Sequence, residues 1–204
     1  YALASETVAA GGKMFVQAHS RALSVLLSFE TVTPFDKLPV WCDIRKLPLA
    51  EQEAKLRDPE IRRQLVAAYH DTPRDSRRMV GPEARPANPK WLWVMENPNP
   101  PHRSIAEIAA AENKDPIDVF IDAALAKNLK QFFLQPLANE NDEYALEMIK
   151  HPNAVVTFSD SGAHVSQIMD SSLQTHMFSH WVREKQELTL EQAVRMLSFV
   201  PASY

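Results

Sequence analysis

One short segment of the sequence concentrates side chains that can move protons. An apolar run at residues 154–158 is predicted to be a buried strand, and it leads directly into Ser159-Asp160-Ser161-Gly162-Ala163-His164. The carboxyl ends of parallel strands carry the active sites of α/β folds, because the scaffold is rigid there while the loops stay open. Asp160 is therefore predicted to act as a general base or as a metal ligand. The alternative is structural: Asp160 caps the following turn through an Asx hydrogen bond.

The elements that would position this segment follow from hydrophobic periodicity and capping residues. Strands are predicted at residues 13–19, 131–136 and 154–158, with a further short strand at 91–95; the apolar run at 22–29 is compatible with helix or strand. Helices are predicted at residues 1–10, 48–57, 58–69, 104–112, 115–125, 141–151, 175–184 and 189–199, the last one stopped by Pro201. Residues 33–47 are predicted to be irregular, and residues 71–103 form a long proline-rich insert.

This order of elements predicts an α/β fold. Strands that alternate with helices favour a mainly parallel sheet, because parallel neighbours need helical crossovers. A closed (β/α)8 barrel typically needs ~250 residues, so a chain of 204 residues could supply only part of one.

Composition excludes several functional classes. The formal net charge is −4, without the basic surplus typical of nucleic-acid-binding proteins. Four glycines, never clustered as phosphate-binding loops require, argue against nucleotide fingerprints. A single cysteine, Cys42, excludes an internal disulfide and favours a reducing, cytoplasmic location. The sequence contains no run of ~18 apolar residues, the length that would predict a membrane span. The first residues do not resemble a secretory signal.

Motifs in a consistent order resemble one enzyme family over nearly the whole chain. The series comprises Gln17-Ala-His-Ser-Arg21, Leu47-Pro-Leu-Ala-Glu51, Leu56-Arg-Asp-Pro-Glu-Ile-Arg62, Ser104-Ile-Ala-Glu-Ile-Ala109, Asp115-Pro-Ile-Asp118, His151-Pro152, residues 157–165 with Asp170 and Thr175, Trp181-Val-Arg-Glu184 and residues 188–194. This series resembles the D-aminoacylase (N-acyl-D-amino-acid deacylase) branch of the amidohydrolase superfamily.

The resemblance implies a metal-dependent (β/α)8 hydrolase that cleaves an amide C–N bond, with Asp160 as proton shuttle and zinc or another divalent metal as cofactor. Whether Asp160 also contacts the metal is left open. The family's His-x-His motif and its later Cys and His ligands have no counterpart here. Residues 1–204 are therefore expected to be the C-terminal part of the barrel, which alone should bind no catalytic zinc and turn over no substrate.

The resemblance also suggests residues that contact the substrate. Gln17, His19 and Arg21 fall on the next-to-last barrel strand, and a guanidinium suits the carboxylate of an N-acyl amino acid. The alternative is that these side chains satisfy backbone groups. Gly162 and His164 complete the predicted set, although His164 could instead hold Asp160 or anchor its loop. A helical His176/His180 pair has metal-clamp spacing, but without a third ligand it favours packing.

Two other readings compete with the D-aminoacylase-like hydrolase. One is a non-catalytic remnant or interaction domain that lacks the metal centre; the other, which residues 47–62 disfavour, is a dihydropyrimidinase-like ring-opening enzyme. In each enzyme reading the partner is a small molecule, not a nucleic acid or a membrane. Unpaired strand edges would also make a homo-oligomer an expectation for the isolated chain.

Overall fold

The computed structural model describes residues 1–73, 86–98, 101–157 and 172–204. These residues form two compact units. Unit 1 combines Tyr1–Ser24 with Ala138–Tyr204, and unit 2 is Val25–Leu137. Helices and strands are mixed along both units, which confirms the α/β class.

The bounds of the elements are as follows. The strands are β1 (Val16–Ala18), β2 (Leu23–Leu27), β3 (Trp93–Val94), β4 (Arg103–Ser104), β5 (Phe133–Ala138) and β6 (Ala154–Val156). The helices are α1 (Ala2–Ala9), α2 (Trp41–Ile44), α3 (Leu49–Arg57), α4 (Pro59–Asp71), α5 (Ile105–Glu112), α6 (Pro116–Ala126), α7 (Asp142–Lys150), α8 (Leu173–His176), α9 (Leu190–Val194) and α10 (Val200–Ala202). A 3-10 turn covers Pro89–Trp91, and π-helices cover Met177–Glu184 and Arg195–Phe199. Within the described residues, every helix is too short or too polar to cross a membrane.

Most helix starts lie where their capping residues predict them. Asp58, Asp115 and Asn141 each accept backbone N–H groups at the start of the helix that follows. Ser104 and Thr189 each form a reciprocal capping box with the residue three positions later. These contacts satisfy donors that the first helical turn leaves without an intrahelical partner, so they are encoded within four residues of sequence.

Other boundaries differ from the predictions. The ambiguous run at 22–29 contains strand β2, and the strand predicted at 13–19 is confined to β1. Helix α2 lies within the segment predicted to be irregular. Pro201 does not stop the last helix, which continues through α10 after the π-helix Arg195–Phe199.

Unit 1 is built around a parallel pair of strands. β1 pairs with β6, with Val16 opposite Ala154 and Ala18 opposite Val156. All three β6 residues are buried. Helices α7, α8 and α9 and the π-helix Met177–Glu184 cover the pair with one apolar cluster, which comprises Ala18, Ala145, Ile149, Ala154, Val156, Leu173, Met177, Trp181, Leu188 and Ala193. The predicted parallel pairing is present in unit 1, whereas unit 2 contains antiparallel strands.

Unit 2 contains a four-stranded sheet with the order β2-β5-β3-β4. In it, β3 is antiparallel to both β4 and β5, with Trp93 opposite Ser104 and Leu134. A mainly parallel sheet throughout is therefore a wrong prediction. The link from β3 to β4 is too short to hold the helical crossover that parallel neighbours require, so it favours antiparallel pairing. An arrangement of these strands as part of a barrel stays a prediction.

The core of unit 2 is aromatic. Phe35 lies with its ring centroid 4.9 Å from those of both Trp41 and Phe120, and Phe120 lies 4.2 Å from Phe133. The Trp41 indole is completely buried and donates a hydrogen bond to the Leu65 carbonyl oxygen at 3.1 Å. Trp41 therefore anchors α2 to α4 and does not line a surface. Offset and edge-to-face ring contacts of this kind add stability beyond the burial of apolar area.

A buried arginine organises the loop that precedes α3. The Arg45 side chain is 8% exposed, and its Nε lies 2.9 Å from Asp36 Oδ1. Its other nitrogens donate to the Phe29 and Thr31 carbonyl oxygens at 2.7 and 3.0 Å and to Gln52 Oε1 at 2.6 Å. The guanidinium carbon also lies 5.0 Å from the centre of the Phe29 ring. One cation thus satisfies two backbone carbonyl oxygens of an irregular segment.

Candidate functional site

The candidate site lies in unit 1, where β1 and β6 end. Because the two strands are parallel, their carboxyl ends lie at the same edge of the pair. Gln17 Nε2 donates to Thr157 Oγ1 at 3.1 Å, although the two residues are 140 positions apart. The first residue after β6 is therefore bonded to the strand that precedes His19 and Arg21.

His19 follows β1 directly and is 1% exposed. Its Nδ1 lies 2.8 Å from the Arg21 carbonyl oxygen and 3.2 Å from the Arg21 amide nitrogen. The ring therefore contacts the backbone of the turn that presents Arg21. This is the arrangement expected if the His19 side chain satisfies backbone groups. Substrate contact by His19 stays a prediction, as it does for Gln17.

The Arg21 guanidinium is directed toward the start of α8. Its Nη1 donates to Ser172 Oγ at 2.5 Å, and its Nε donates to the Ala22 carbonyl oxygen at 3.3 Å. Arg21 is partly buried, so the surrounding protein screens its charge less than water would. A fixed, partly desolvated guanidinium next to a hydroxyl is suited to binding a carboxylate.

Two further hydrogen bonds hold the turn between His19 and Arg21. Trp181 Nε1 donates to the Ser20 carbonyl oxygen at 2.6 Å, and Ser20 Oγ donates to the Leu173 carbonyl oxygen at 2.9 Å. All three residues are at most 2% exposed. Sequence reasoning did not identify Ser20, Ser172 or Trp181 as site residues. No spacing rule could have found them, because their partners lie about 150 residues away.

Trp181→Phe is expected to weaken unit 1 by about 1–3 kcal/mol, because the Ser20 carbonyl oxygen would stay buried without its donor. Urea unfolding followed by circular dichroism measures this loss. Trp93→Phe is the matched control, since Trp93 is partly exposed and lies in unit 2. Equal midpoints for the two variants would show that the indole N–H contributes nothing to holding the turn.

His176 and His180 lie one helical turn apart, and their rings stack at 4.7 Å. His180 uses both ring nitrogens, with Nε2 at 2.9 Å from Asp142 Oδ2 and Nδ1 at 3.1 Å from Glu184 Oε2. The π-helical backbone here includes a bond from Lys185 N to the His180 carbonyl oxygen at 2.8 Å. Since His180 has no nitrogen to spare, the pair is not arranged as a metal clamp.

The environment of His176 disfavours its charged form. Burial lowers the pKa of His176 to about 4, with help from the neighbouring His180, Arg21 and His19 and partial opposition from Asp142. Its Nδ1 atom is buried and has no hydrogen-bond partner among the described residues. An unfilled polar atom of this kind is rare in a folded protein and marks a position where a ligand or water can bind.

The lowered pKa of His176 predicts a pH dependence of stability. The unfolded chain protonates this imidazole near pH 6.5, whereas the folded chain holds it neutral down to about pH 4. Between these values the unfolded state binds more protons, so the free energy of unfolding should fall as the pH falls. Urea midpoints across this range measure the effect. His176→Gln should flatten this part of the profile, and a variant profile parallel to that of the parent would contradict the assignment.

The described residues do not fit a zinc site. No group of three His, Cys, Asp or Glu side chains that could hold a metal occurs in residues 1–73, 86–98, 101–157 or 172–204. A catalytic zinc needs three protein ligands and an open position. The predicted residues Asp160, Gly162 and His164 lie outside the described residues, so their positions relative to Arg21 stay predictions.

Comparison of the chain with protein-family models, with curated proteins and with solved structures finds no match. The resemblance to the D-aminoacylase branch therefore rests on the motifs of the sequence alone, and the activity that it implies is a proposal.

Proposed function

We propose that this chain is part of a metal-dependent amidohydrolase that hydrolyses the amide bond of N-acyl-D-amino acids or similar amides. The observation that best supports the proposal is the parallel pairing of β1 with β6. The pairing brings the end of β6, four positions before Asp160 in the sequence, to the same edge as the turn that carries Arg21. Two neighbouring parallel strands with polar side chains at their carboxyl ends are what an α/β active site requires.

In this proposal Asp160 transfers the proton. Its carboxylate accepts a proton from the attacking water and returns it to the nitrogen of the leaving amine as the C–N bond breaks. One water is consumed, and a carboxylic acid and a free amino acid are produced. Zinc or another divalent metal would be held by ligands other than the described residues.

Arg21 has the complementary role of binding substrate. An N-acyl amino acid carries one carboxylate that does not react, and a guanidinium can bind it through two parallel hydrogen bonds. Anchoring this group places the scissile amide at a defined distance from the reacting side chains. Ser172 and the turn held by Trp181 fix the direction of the guanidinium.

The proposal includes the architecture that the resemblance implies. β1 and β6 would be neighbouring strands of a (β/α)8 barrel, with their crossover helices on the outside. The antiparallel sheet of unit 2 would then belong to an insert between barrel elements, which includes the proline-rich residues 71–103. We also propose a cytoplasmic location, consistent with a single cysteine, and association of isolated chains through their strand edges.

A non-catalytic interaction domain is the second candidate. It is favoured by one observation, that several large apolar side chains of unit 1 are exposed, among them Leu190, Phe199 and Tyr204. The coding sequence upstream of Tyr1 separates the candidates, because a His-x-His motif there would supply the metal ligands that the hydrolase needs.

An activity assay tests the proposed function directly. The parent polypeptide, that is, the longer protein to which residues 1–204 belong in this proposal, is purified and its bound metal is quantified. It is then incubated with a panel of N-acetyl-D-amino acids, and the release of free amino acid is measured. The matching L-enantiomers serve as controls. Turnover confined to the D-series supports the proposal. A metal-loaded protein that releases no amino acid from any substrate of the panel would favour the interaction domain.

A further inference from the structure

One residue of unit 2 has a backbone conformation that its side chain disfavours. Val40 has a φ of 66° and a ψ of −48°, and the Trp41 amide donates to the Pro39 carbonyl oxygen at 2.7 Å. These values describe the rare and strained form of the γ-turn. They lie outside the left-handed helical region, which Asn113 occupies with φ 50° and ψ 47°. Because valine is β-branched, its Cβ atom crowds the backbone at positive φ, and Val40 therefore stores strain.

The neighbours of Val40 leave the change of chain direction to this residue. The ring of Pro39 fixes its own φ, and Leu38 is restricted because it precedes a proline. On the other side, Trp41 is the first residue of α2, so its backbone is helical. None of these three residues can absorb the rotation that the turn requires. The strain is therefore concentrated at Val40.

The buried ring of Trp41 keeps Val40 in this conformation. The indole is completely buried, its Nε1 donates to the Leu65 carbonyl oxygen at 3.1 Å, and its centroid lies 4.9 Å from that of Phe35. Phe35 is itself only 1% exposed. A rotation about φ or ψ of Val40 redirects the chain on one side of it, so its relaxation would move either the indole or the segment before it. Burial of the indole and strain at Val40 are thus coupled.

A single carboxylate closes the segment that contains the turn. Asp36 accepts hydrogen bonds from Thr33 N at 3.0 Å, from Thr33 Oγ1 at 2.5 Å and from Arg45 Nε at 2.9 Å. Both ends of residues 33–45, named the strap from here on, are therefore tied to Asp36. The one helix or strand in the strap is the four-residue helix α2. A segment with so little regular structure can open while the longer helices around it stay folded.

We propose that the strap is a conformational switch with a closed and an open state. In the closed state Val40 is strained and the Trp41 indole lies among the rings of Phe35 and Phe120. In the open state Val40 relaxes to negative φ and the indole leaves the core. Strain in the closed state narrows the free-energy gap between the two, so the open state is more populated than it would be without strain. The switch does not depend on the proposed hydrolase.

Hydrogen exchange followed by NMR on the 204-residue chain tests whether the strap opens by itself. The Trp41 indole N–H is buried and bonded, so it exchanges only when the strap opens or unit 2 unfolds. The amide of Ile121, a completely buried residue of α6, reports the unfolding of unit 2. We expect the indole N–H to be at least about tenfold less protected than this amide. Its exchange should also depend less on urea, because a local opening exposes less surface.

Two substitutions at position 40 separate strain from packing. Val40→Gly removes the Cβ atom that crowds the turn, so it should slow the exchange of the Trp41 indole about tenfold, which corresponds to ~1.4 kcal/mol. This is the release expected for a strained residue, reduced by the extra entropy that glycine loses on folding. Val40→Ala is the matched control, because it removes the two methyl groups and keeps Cβ. It should slow exchange less than about threefold.

Each comparison can overturn the switch. Protection and urea dependence of the Trp41 indole equal to those of the Ile121 amide would mean that the strap opens only when unit 2 unfolds. This first comparison needs no variant. Exchange that is as fast in Val40→Gly as in the unsubstituted chain would show that the turn stores no strain. Equal slowing in Val40→Gly and Val40→Ala would assign the effect to the methyl groups. Circular dichroism confirms that both variants are folded.

Discussion

Replacing Asp160 with Asn in the parent polypeptide is expected to lower kcat by about 10²–10⁴-fold, the range that general acid–base groups contribute. Asparagine keeps the size of the side chain but cannot take a proton from the attacking water. The metal content should stay close to that of the unsubstituted polypeptide, because the proposed role of Asp160 is proton transfer. Steady-state kinetics with N-acetyl-D-amino acids and metal analysis of the same samples measure the two quantities.

Asp43→Asn is the matched control for this experiment. The change in chemistry is identical, but the Asp43 side chain is 76% exposed and forms an ion pair with Lys46 on the surface of unit 2. Its turnover should equal that of the parent. Full activity in Asp160→Asn would remove Asp160 from catalysis. Loss of the metal together with the activity would instead assign Asp160 to the metal centre.

Replacing Arg45 with Met is expected to destabilise unit 2 by about 3–5 kcal/mol, the cost of breaking a buried ion pair from one side. Methionine can fill most of the space of the aliphatic stem. Asp36, whose side chain is only 14% exposed, would then lose its cation, and two carbonyl oxygens would lose their donors. Urea unfolding measures the change as a lower midpoint at an unchanged slope.

Arg57→Met is the control for position 45. Arg57 also pairs with a carboxylate, Glu53 at 2.7 Å, but its side chain is 56% exposed. Solvent-exposed pairs of this kind contribute about 0–1 kcal/mol. Both variants remove one arginine charge, so the difference between them measures the effect of burial. Similar midpoints for the two variants would mean that the Arg45 contacts do not hold the loop together.

Local chemistry explains which parts of the fold were predictable. Asp58, Ser104, Asp115 and Asn141 start their helices through contacts to backbone groups two or three residues away, so four residues of sequence suffice. The pairing of β3 was not predictable in the same way. A two-residue strand has little periodicity, and its antiparallel partners are set by the packing of the whole sheet.

In the candidate site too, some features were visible in the sequence and others depend on contacts in the folded chain. That polar side chains follow β1 was visible in the sequence, whereas binding of an anionic group by Arg21 stays a prediction. The contacts that direct Arg21 were not visible, because Ser172 and Trp181 lie about 150 residues further along the chain. Whether a histidine is charged, bonded or unfilled depends on burial and on neighbours in space, and sequence spacing alone did not separate His176 from His180.

The sequence by itself determined the starts of the capped helices, the α/β class, the exclusion of an internal disulfide and the residues that carry the family resemblance, since these depend on neighbouring residues or on composition. Only the tertiary structure decided that β1 and β6 are adjacent, that Arg45 holds an irregular loop and that His176 keeps a buried nitrogen without a partner among the described residues. The physical reason is that hydrogen bonds and charges act over a few ångströms in space, whatever the separation of the residues along the chain.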